Sequence, residues 1–177
     1  MTANGAYYAL SDMQRYGLYW EERIARRLTD MGFHAHLPPQ FQKPVVDIVV
    51  NSCLICSVKA ARPKRHKPSF KAKARIRYQF NLSKIWKAIQ HDPDILIILV
   101  CDEIAINRYT TFVIPARAIQ GKTVSITRVD PRKYSGKYAK FCEAWDQVPS
   151  LASKVQARWE KANGQTELWN FISQSNS

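Results

Sequence analysis

The stretch VVDIVVNSCLICSVKAAR, Val45 to Arg62, decides how the rest of the chain is read. It reads as a strand, a tight reversal and a second strand. Val, Ile and Leu in runs of this length suit a buried, pleated backbone. Neither half alternates cleanly between apolar and polar, so both strands are expected to be covered on two faces. One acid, Asp47, stands inside the first apolar run, and one lysine, Lys59, closes the second. A carboxylate among Val and Ile is costly to bury unless a positive group sits on it. The bland reading is a buried Asp47–Lys59 ion pair. Buried pairs are weak stability devices, and that favours a functional reading.

Register decides whether the two groups can meet. If Asp47 lies opposite Ser57, then Val50 faces Leu54 and three residues, Asn51 to Cys53, make the loop. A two-residue Asn51-Ser52 turn pairs Asp47 with Cys56 instead. Ser57 and Lys59 would then point away from Asp47 unless a bulge corrects the register.

Upstream, Ser11 followed by Gln14 is a capping-box pattern, which predicts a helix over Asp12 to Met31 closed by Gly32. Leu18, Ala25 and Leu28 mark one apolar stripe of that helix; Tyr16, Trp20 and Ile24 mark another. Glu21 lies between them. Phe33 to Pro44 is a connection with a short strand at Phe33 to Leu37, kept irregular by Pro38, Pro39 and Pro44.

Downstream, Ala60 to Ala74 carries Pro63, Pro68 and dense charge, and reads as a loop or arm. Arg75 to Leu82 has strand composition, and Ser83 is placed to cap a short helix through Gln90. His91 to Asp94 is a turn. Ile95 to Val100 is a central buried strand and Thr110 to Ile114 another, linked by Asp102 to Arg108, with Asp102 and Glu103 read as exposed turn residues. A helical turn at Ala116 to Ile119, a weaker strand at Thr123 to Thr127 and a helix at Tyr134 to Trp145 follow. A last amphipathic helix is expected over Leu151 to Lys161, broken by Gly164, with Trp169 and Phe171 docking a disordered tail. The pattern predicts a mixed α/β fold, a central mixed β-sheet flanked by helices. Residues 1–150 form the main domain, with a basic arm at 60–77, and 151–177 form a C-terminal helix and tail.

The net charge is +13, and it is localised. Between Asp47 and Asp92 there is no acid, while eleven Lys and Arg residues stand there. Such a one-sign field implies an anionic partner, nucleic acid above all. Phe70, Tyr78 and Phe80 interleave with the charge and are expected to meet bases or sugars. The candidate contact residues are Arg62, Lys64, Arg65, Lys67, Lys71, Lys73, Arg75, Arg77 and Gln79. No leader pattern opens the chain, and no apolar run approaches the ~20 residues of a membrane span. The four cysteines have no secreted spacing and read as reduced core thiols, so no membrane association and a cytoplasmic location are expected. Cys53 and Cys56 form a lone CxxC, which lacks the second ligand pair of a zinc site.

Hydrolysis of a phosphodiester needs a strong nucleophile and a means of stabilising charge on the phosphate oxygens. A magnesium ion held by carboxylates provides both, and a nearby lysine can orient the attacking water. Gly17, Glu21, Ala25, Leu28 and Gly32, then Val46-Asp47-Ile48-Val49, then Ser57-Val58-Lys59, resemble the PD-(D/E)XK nuclease superfamily, which includes Holliday-junction resolvases, restriction enzymes and homing endonucleases. The likeness covers about Tyr16 to Ile114. It implies a restriction-endonuclease-like core and a magnesium- or manganese-dependent DNA endonuclease, with DNA as partner and a homodimer or higher homo-oligomer as the working form. By the same resemblance, Asp47 is the principal metal ligand, Glu21 binds metal or assists the base, the Val58 carbonyl supplies a further oxygen, Lys59 activates water, and Gln79 serves the substrate face.

The departure from the family pattern is Ser57, which stands where a Glu or Asp is usual. A neutral oxygen there removes one negative charge and weakens metal binding. Three readings stay open. Another acid compensates, Glu21 first and Glu22 next; or the chain is a pseudonuclease that binds DNA without cutting it; or the residue was substituted to trap a complex.

Overall fold

The computed structural model describes residues 10–39, 46–66, 75–103, 107–127 and 130–175, with side chains of the last helix described through residue 162. The first helix, α1, spans Asp12–Asp30. Its capping box is complete: Ser11 Oγ accepts from the Gln14 N–H at 3.3 Å, and Gln14 Oε1 accepts from the Ser11 N–H at 2.9 Å. Gly32, at φ +90°, takes the left-handed conformation that stops the helix. The described strands are β1 (Ala35–His36), β2 (Ile48–Val50), β3 (Leu54–Ala61), β4 (Lys64–His66), β5 (Arg75–Asn81), β6 (Leu96–Glu103), β7 (Arg108–Pro115) and β8 (Thr123–Ile126). The short α2 is Trp86–His91, and α3 is Gln147–Ser175.

The central sheet has the order β1-β2-β3-β6-β7. Only the β3–β6 pair is parallel, which makes the sheet mixed. The expected mixed α/β fold is thus observed: a five-stranded sheet covered by helices. Strand alternation divides the core in two. Leu96, Ile98 and Val100 of β6 face Trp20, Ile24 and Leu28 of α1 and Val148, Leu151 and Val155 of α3. Ile97, Leu99 and Cys101 face a second cluster with Tyr78, Phe80, Val124 and Ile126. These strands are covered on both faces, as unbroken apolar runs require. Among the described residues no helix is long and apolar enough to cross a membrane.

Several elements differ from expectation. Of the stretch read as a loop or arm, Ala60 to Ala74, Lys64–His66 form a strand, β4; it pairs antiparallel with β5, the strand expected at Arg75 to Leu82, and with β8 they form a second sheet of order β4-β5-β8. Tyr78 and Phe80 are 1% and 2% exposed in the second core, so they support the sheet rather than meet bases; Phe70 lies outside the described residues. Asp102 and Glu103 belong to β6, paired with Tyr109 and Arg108, and Glu103 is buried. Instead of a helix over Tyr134 to Trp145 there are 3-10 turns at Pro131–Lys133 and Ala139–Phe141. The last helix begins at Gln147 and continues through the break expected at Gly164 to Ser175.

The turn before β6 anchors α3. Asp94 is 3% exposed, and its carboxylate accepts from Lys154 Nζ at 2.8 Å and from Arg158 at 2.7 Å, with Arg117 at 3.8 Å. The cations are more than half exposed while the acid is buried, so loss of either side has unequal cost. Asp94→Asn leaves cations that already reach water, and is expected to cost about 1–3 kcal/mol. The double variant Lys154→Met with Arg158→Met strands a buried carboxylate, and is expected to cost about 3–5 kcal/mol. Urea denaturation of both variants measures the order.

Candidate active site and nucleic-acid interface

The reversal between β2 and β3 sets the site. Asn51 and Ser52 have φ of 49° and 60°, as a type I′ turn requires, and the Cys53 N–H donates to the Val50 carbonyl at 3.1 Å. Cys53 is then one residue more than the tight turn needs. Pairing resumes with Val50 opposite Leu54, Val49 opposite Ile55 and Ile48 opposite Cys56. This is the register that sets Asp47 opposite Ser57. Just before β2, the Asp47 N–H donates to the Cys56 carbonyl at 3.0 Å and ties the start of the strand down.

Asp47 Oδ2 is a hub. It accepts from Ser57 Oγ at 2.9 Å, from the Val58 N–H at 2.7 Å and from Lys59 Nζ at 2.9 Å. Lys59 Nζ also donates to Ser57 Oγ at 3.1 Å and to the Val58 carbonyl at 2.9 Å. The ammonium therefore sits among three oxygens, one each from Asp47, Ser57 and Val58. Asp47 and Lys59 side chains are 15% and 29% exposed, so the cluster opens to solvent from the lysine side. Ser57 is fully buried. Beneath the cluster, burial pushes the Cys56 thiol up, with the Asp47 charge adding to the shift. That thiol stays protonated and inert, and all four cysteines are free.

Glu21 is half-buried on α1, with its Oε1 3.9 Å from where a Cβ on Gly17 would stand. Among the described residues no group of three or more His, Cys, Asp or Glu could hold a metal ion, so the site has no three-acid cluster. The oxygen set around Lys59 Nζ is one carboxylate, one hydroxyl and one carbonyl. Those are hard donors of the kind magnesium and manganese take, and they already enclose a cation. The set fits such an ion as a weak, single-carboxylate site whose other positions water and phosphate must fill.

The basic residues gather on the second sheet. In β5, Tyr78 and Phe80 point inward, so Arg75, Arg77 and Gln79 share the outer face. Lys64 of β4 pairs directly with Arg77, which puts like charges opposite each other across the ladder. That arrangement is unfavourable by itself. Lys64, Arg65, Arg75 and Gln79 are exposed and Arg77 is half-buried. Lys67, Lys71 and Lys73 lie outside the described residues. Arg62 follows β3, stacks on Tyr16 at 4.6 Å and stands 3.8 Å from Asp102.

Sequence reasoning missed two parts of this region. The Val58 N–H holds Asp47 Oδ2 as firmly as the lysine does, and a backbone donor leaves no mark in composition. Asp102 is no turn residue: it accepts the Tyr16 hydroxyl proton at 3.0 Å beside Arg62. The apolar run of β6 and the aromatic Tyr109 across from it were the available signals.

The architecture is a mixed five-stranded sheet packed on one face against α1 and α3, with the hairpin that carries Asp47 and Lys59 within it. The structure is similar to that of a bacterial homing endonuclease, I-Ssp6803I, with a TM-score of 0.57 over 83% of this chain and 99% of that one, at 13% sequence identity. No protein-family profile and no curated protein sequence matches the chain. At this identity the likeness is one of fold.

Burial first, then the hydrogen bond to Asp102, push the Tyr16 phenol up to about 12, with the Trp20 side chain and Arg62 pulling weakly the other way. An unfolded tyrosine titrates at about 10. The folded protein holds this proton more tightly, so the stabilisation is complete below pH ~10 and is lost as pH rises from about 10 to about 12. Tyr16→Phe removes this contribution. Urea denaturation from neutral pH to about 12 is expected to show a shallower fall in stability for the variant than for the parent over that window.

Proposed function

We propose that this chain is a metal-dependent DNA endonuclease with a PD-(D/E)XK-type site, in which Asp47 holds the ion and Lys59 orients the attacking water. The observation that carries the reading is the convergence of Asp47 Oδ2, Ser57 Oγ and the Val58 carbonyl within 3.1 Å of one cation, the Lys59 ammonium. A bound magnesium or manganese ion would offset charge on the phosphate oxygens and lower the pKa of an attacking water. The remaining work falls to the chain. The Val58 N–H and the Ser57 hydroxyl keep Oδ2 oriented from behind, so the carboxylate does not depend on the lysine for its position. Lys59 is then available to turn toward water or a phosphate oxygen, carrying a positive charge that favours the developing negative one.

DNA is the proposed partner, and the like-charge face of β4 and β5 supports that choice. Contacts to phosphates make such binding strongly salt-dependent. One chain offers one such hub, so cutting both strands of a duplex calls for a homodimer or larger homo-oligomer. A specific observation also favours a second reading, a DNA-binding pseudonuclease: among the described residues, no acid cluster replaces the carboxylate that Ser57 lacks.

Supercoiled and branched DNA, incubated with magnesium or manganese, separates the two. The parent is expected to nick or linearise DNA, and Asp47→Ala to lower the rate by about 100-fold or more. Ser57→Asp and Ser57→Glu, checked for native circular dichroism, are expected to lower the half-saturating metal concentration by about tenfold. Retention of DNA with no cleavage by the parent or by either acidic variant establishes the binding module and overturns the endonuclease.

A further inference from the structure

The face of the central sheet that carries Asp47, Ser57 and Lys59 is only half covered among the described residues. Ile97, Leu99 and Cys101 of β6, with Ile55 and Ala61 of β3, pack under the second sheet. Toward the β1 edge the face opens: Val49 of β2 is half-buried, while His34, just before β1, and His36 of β1 are exposed. Alternation puts both histidines on this face, since Phe33, Ala35 and Leu37 pack instead into the cluster under α1. The register then gives His36 an address. It pairs with Val49, so Asp47, two residues before Val49, is its diagonal neighbour at about 7–8 Å. His34 lies farther along the same edge, its ring centroid 5.4 Å from that of His36. Neither imidazole has a hydrogen-bond or ion-pair partner among the described residues.

His36 on β1, Asp47 at the start of β2 and Lys59 on β3 therefore stand in strand order on one face, with Asp47 in the middle. A phosphate engaged over Asp47 has Lys59 on one side and the imidazole on the other. Phosphodiester hydrolysis runs in line, with the attacking and leaving oxygens on opposite sides of phosphorus. Lys59 serves the attacking side in the reading above. The hub has no donor to spare for the other side, because Ser57 Oγ and the Val58 N–H are already committed to Asp47 Oδ2. An alkoxide leaves poorly, and an acid that protonates it as the bond breaks is worth ~10²–10⁴-fold.

We propose that His36 is the general acid of this site. The inference rests on the endonuclease reading above and adds to it the group that releases the cut strand. The oxygen of water forms a new bond to phosphorus. The bond from phosphorus to the departing sugar oxygen breaks, its electron pair stays on that oxygen, and the oxygen takes the proton of the His36 imidazolium. The proton lost by the water passes to solvent, and solvent reprotonates the imidazole. The products are a phosphate monoester end and a free hydroxyl.

Rates of nicking of supercoiled DNA with magnesium or manganese at saturating protein, set beside fluorescence anisotropy of a labelled duplex in EDTA, test it. His36→Ala is expected to cut about 100-fold more slowly than the parent while binding the duplex within about twofold. His34→Ala, farther from Asp47, is expected to keep the parental rate within about threefold. The titratable groups that face His36 are His34, Asp47 and Lys59, and His36→Ala keeps them all. The ratio of parental to His36→Ala rates therefore isolates the imidazole, and it is expected to shrink as pH rises from about 5 to about 8 and the imidazolium is lost. A His36→Ala rate within about threefold of the parent, a loss of binding that matches the loss of rate, or a ratio that does not change with pH overturns the inference and leaves the endonuclease reading intact. A parent that cuts no DNA overturns that reading, and the inference with it.

Discussion

One residue holds the candidate site together by its position rather than its chemistry. Cys53 is the extra residue after the Asn51-Ser52 turn, and it sets Val50 opposite Leu54. Side chains along a strand alternate, so a slip by one residue would turn Ser57 and Lys59 to the opposite face from Asp47. The aliphatic residues enforce the same register. Ile48 and Val50 of β2 and Leu54, Cys56 and Val58 of β3 all enter the core under α1, so a one-residue slip would take one strand's set out of that core. Core packing and site geometry thus demand the same alignment, which is how a short hairpin holds three oxygens around one ammonium.

The charged groups outside the hairpin divide by what opposes them. Asp94 is buried and met by half-exposed cations, so it works as an anchor for α3. Glu143, in the turn before α3, ties that turn to β7 and α1. Its carboxylate accepts from the Thr111 N–H at 2.6 Å and from Arg27 at 3.0 Å. Lys64 and Arg77 are the opposite case, two cations facing each other across β4 and β5. Internal pairing explains the first two groups. Among the described residues no acid is paired with the last two.

The parts of the fold that were legible in the sequence are those written in local chemistry. The capping box of Ser11 and Gln14 marks the start of α1, and Gly32 marks its end. The alternatives for the hairpin register could be enumerated from residue numbers, and the observed one combines a tight turn with an extra residue. What was hidden depends on partners distant in sequence. Pro63 and dense charge disguised β4, whose strand exists because Arg75 to Arg77 lie alongside. Tyr78 and Phe80 looked available to bases, but β8 and β6 close over them. The helix expected at Tyr134 to Trp145 is displaced by tertiary contacts: Phe112 bridges Cys142, and Glu143 takes φ 51° to reach Thr111. A helical propensity of a few tenths of a kcal/mol per residue does not withstand such contacts. At the site, Asp47, Ser57, Val58 and Lys59 were all named from sequence and do meet, whereas the contact of Tyr16 with Asp102 and Arg62, which joins α1 to β6 and the end of β3, was not foreseen.

The Lys59 ammonium inside its ring of oxygens also bears on how the protein folds. A cluster of bare carboxylates is self-repelling, and its folding becomes tied to the supply of a neutralising ion. Here the hairpin brings its own counter-ion, covalently attached two residues beyond Ser57, and the buried end of Asp47 is satisfied before any solute arrives. Formation of β2 and β3 therefore needs no added ion to neutralise Asp47. A cation that entered there would have to exchange with a tethered competitor rather than fill a void.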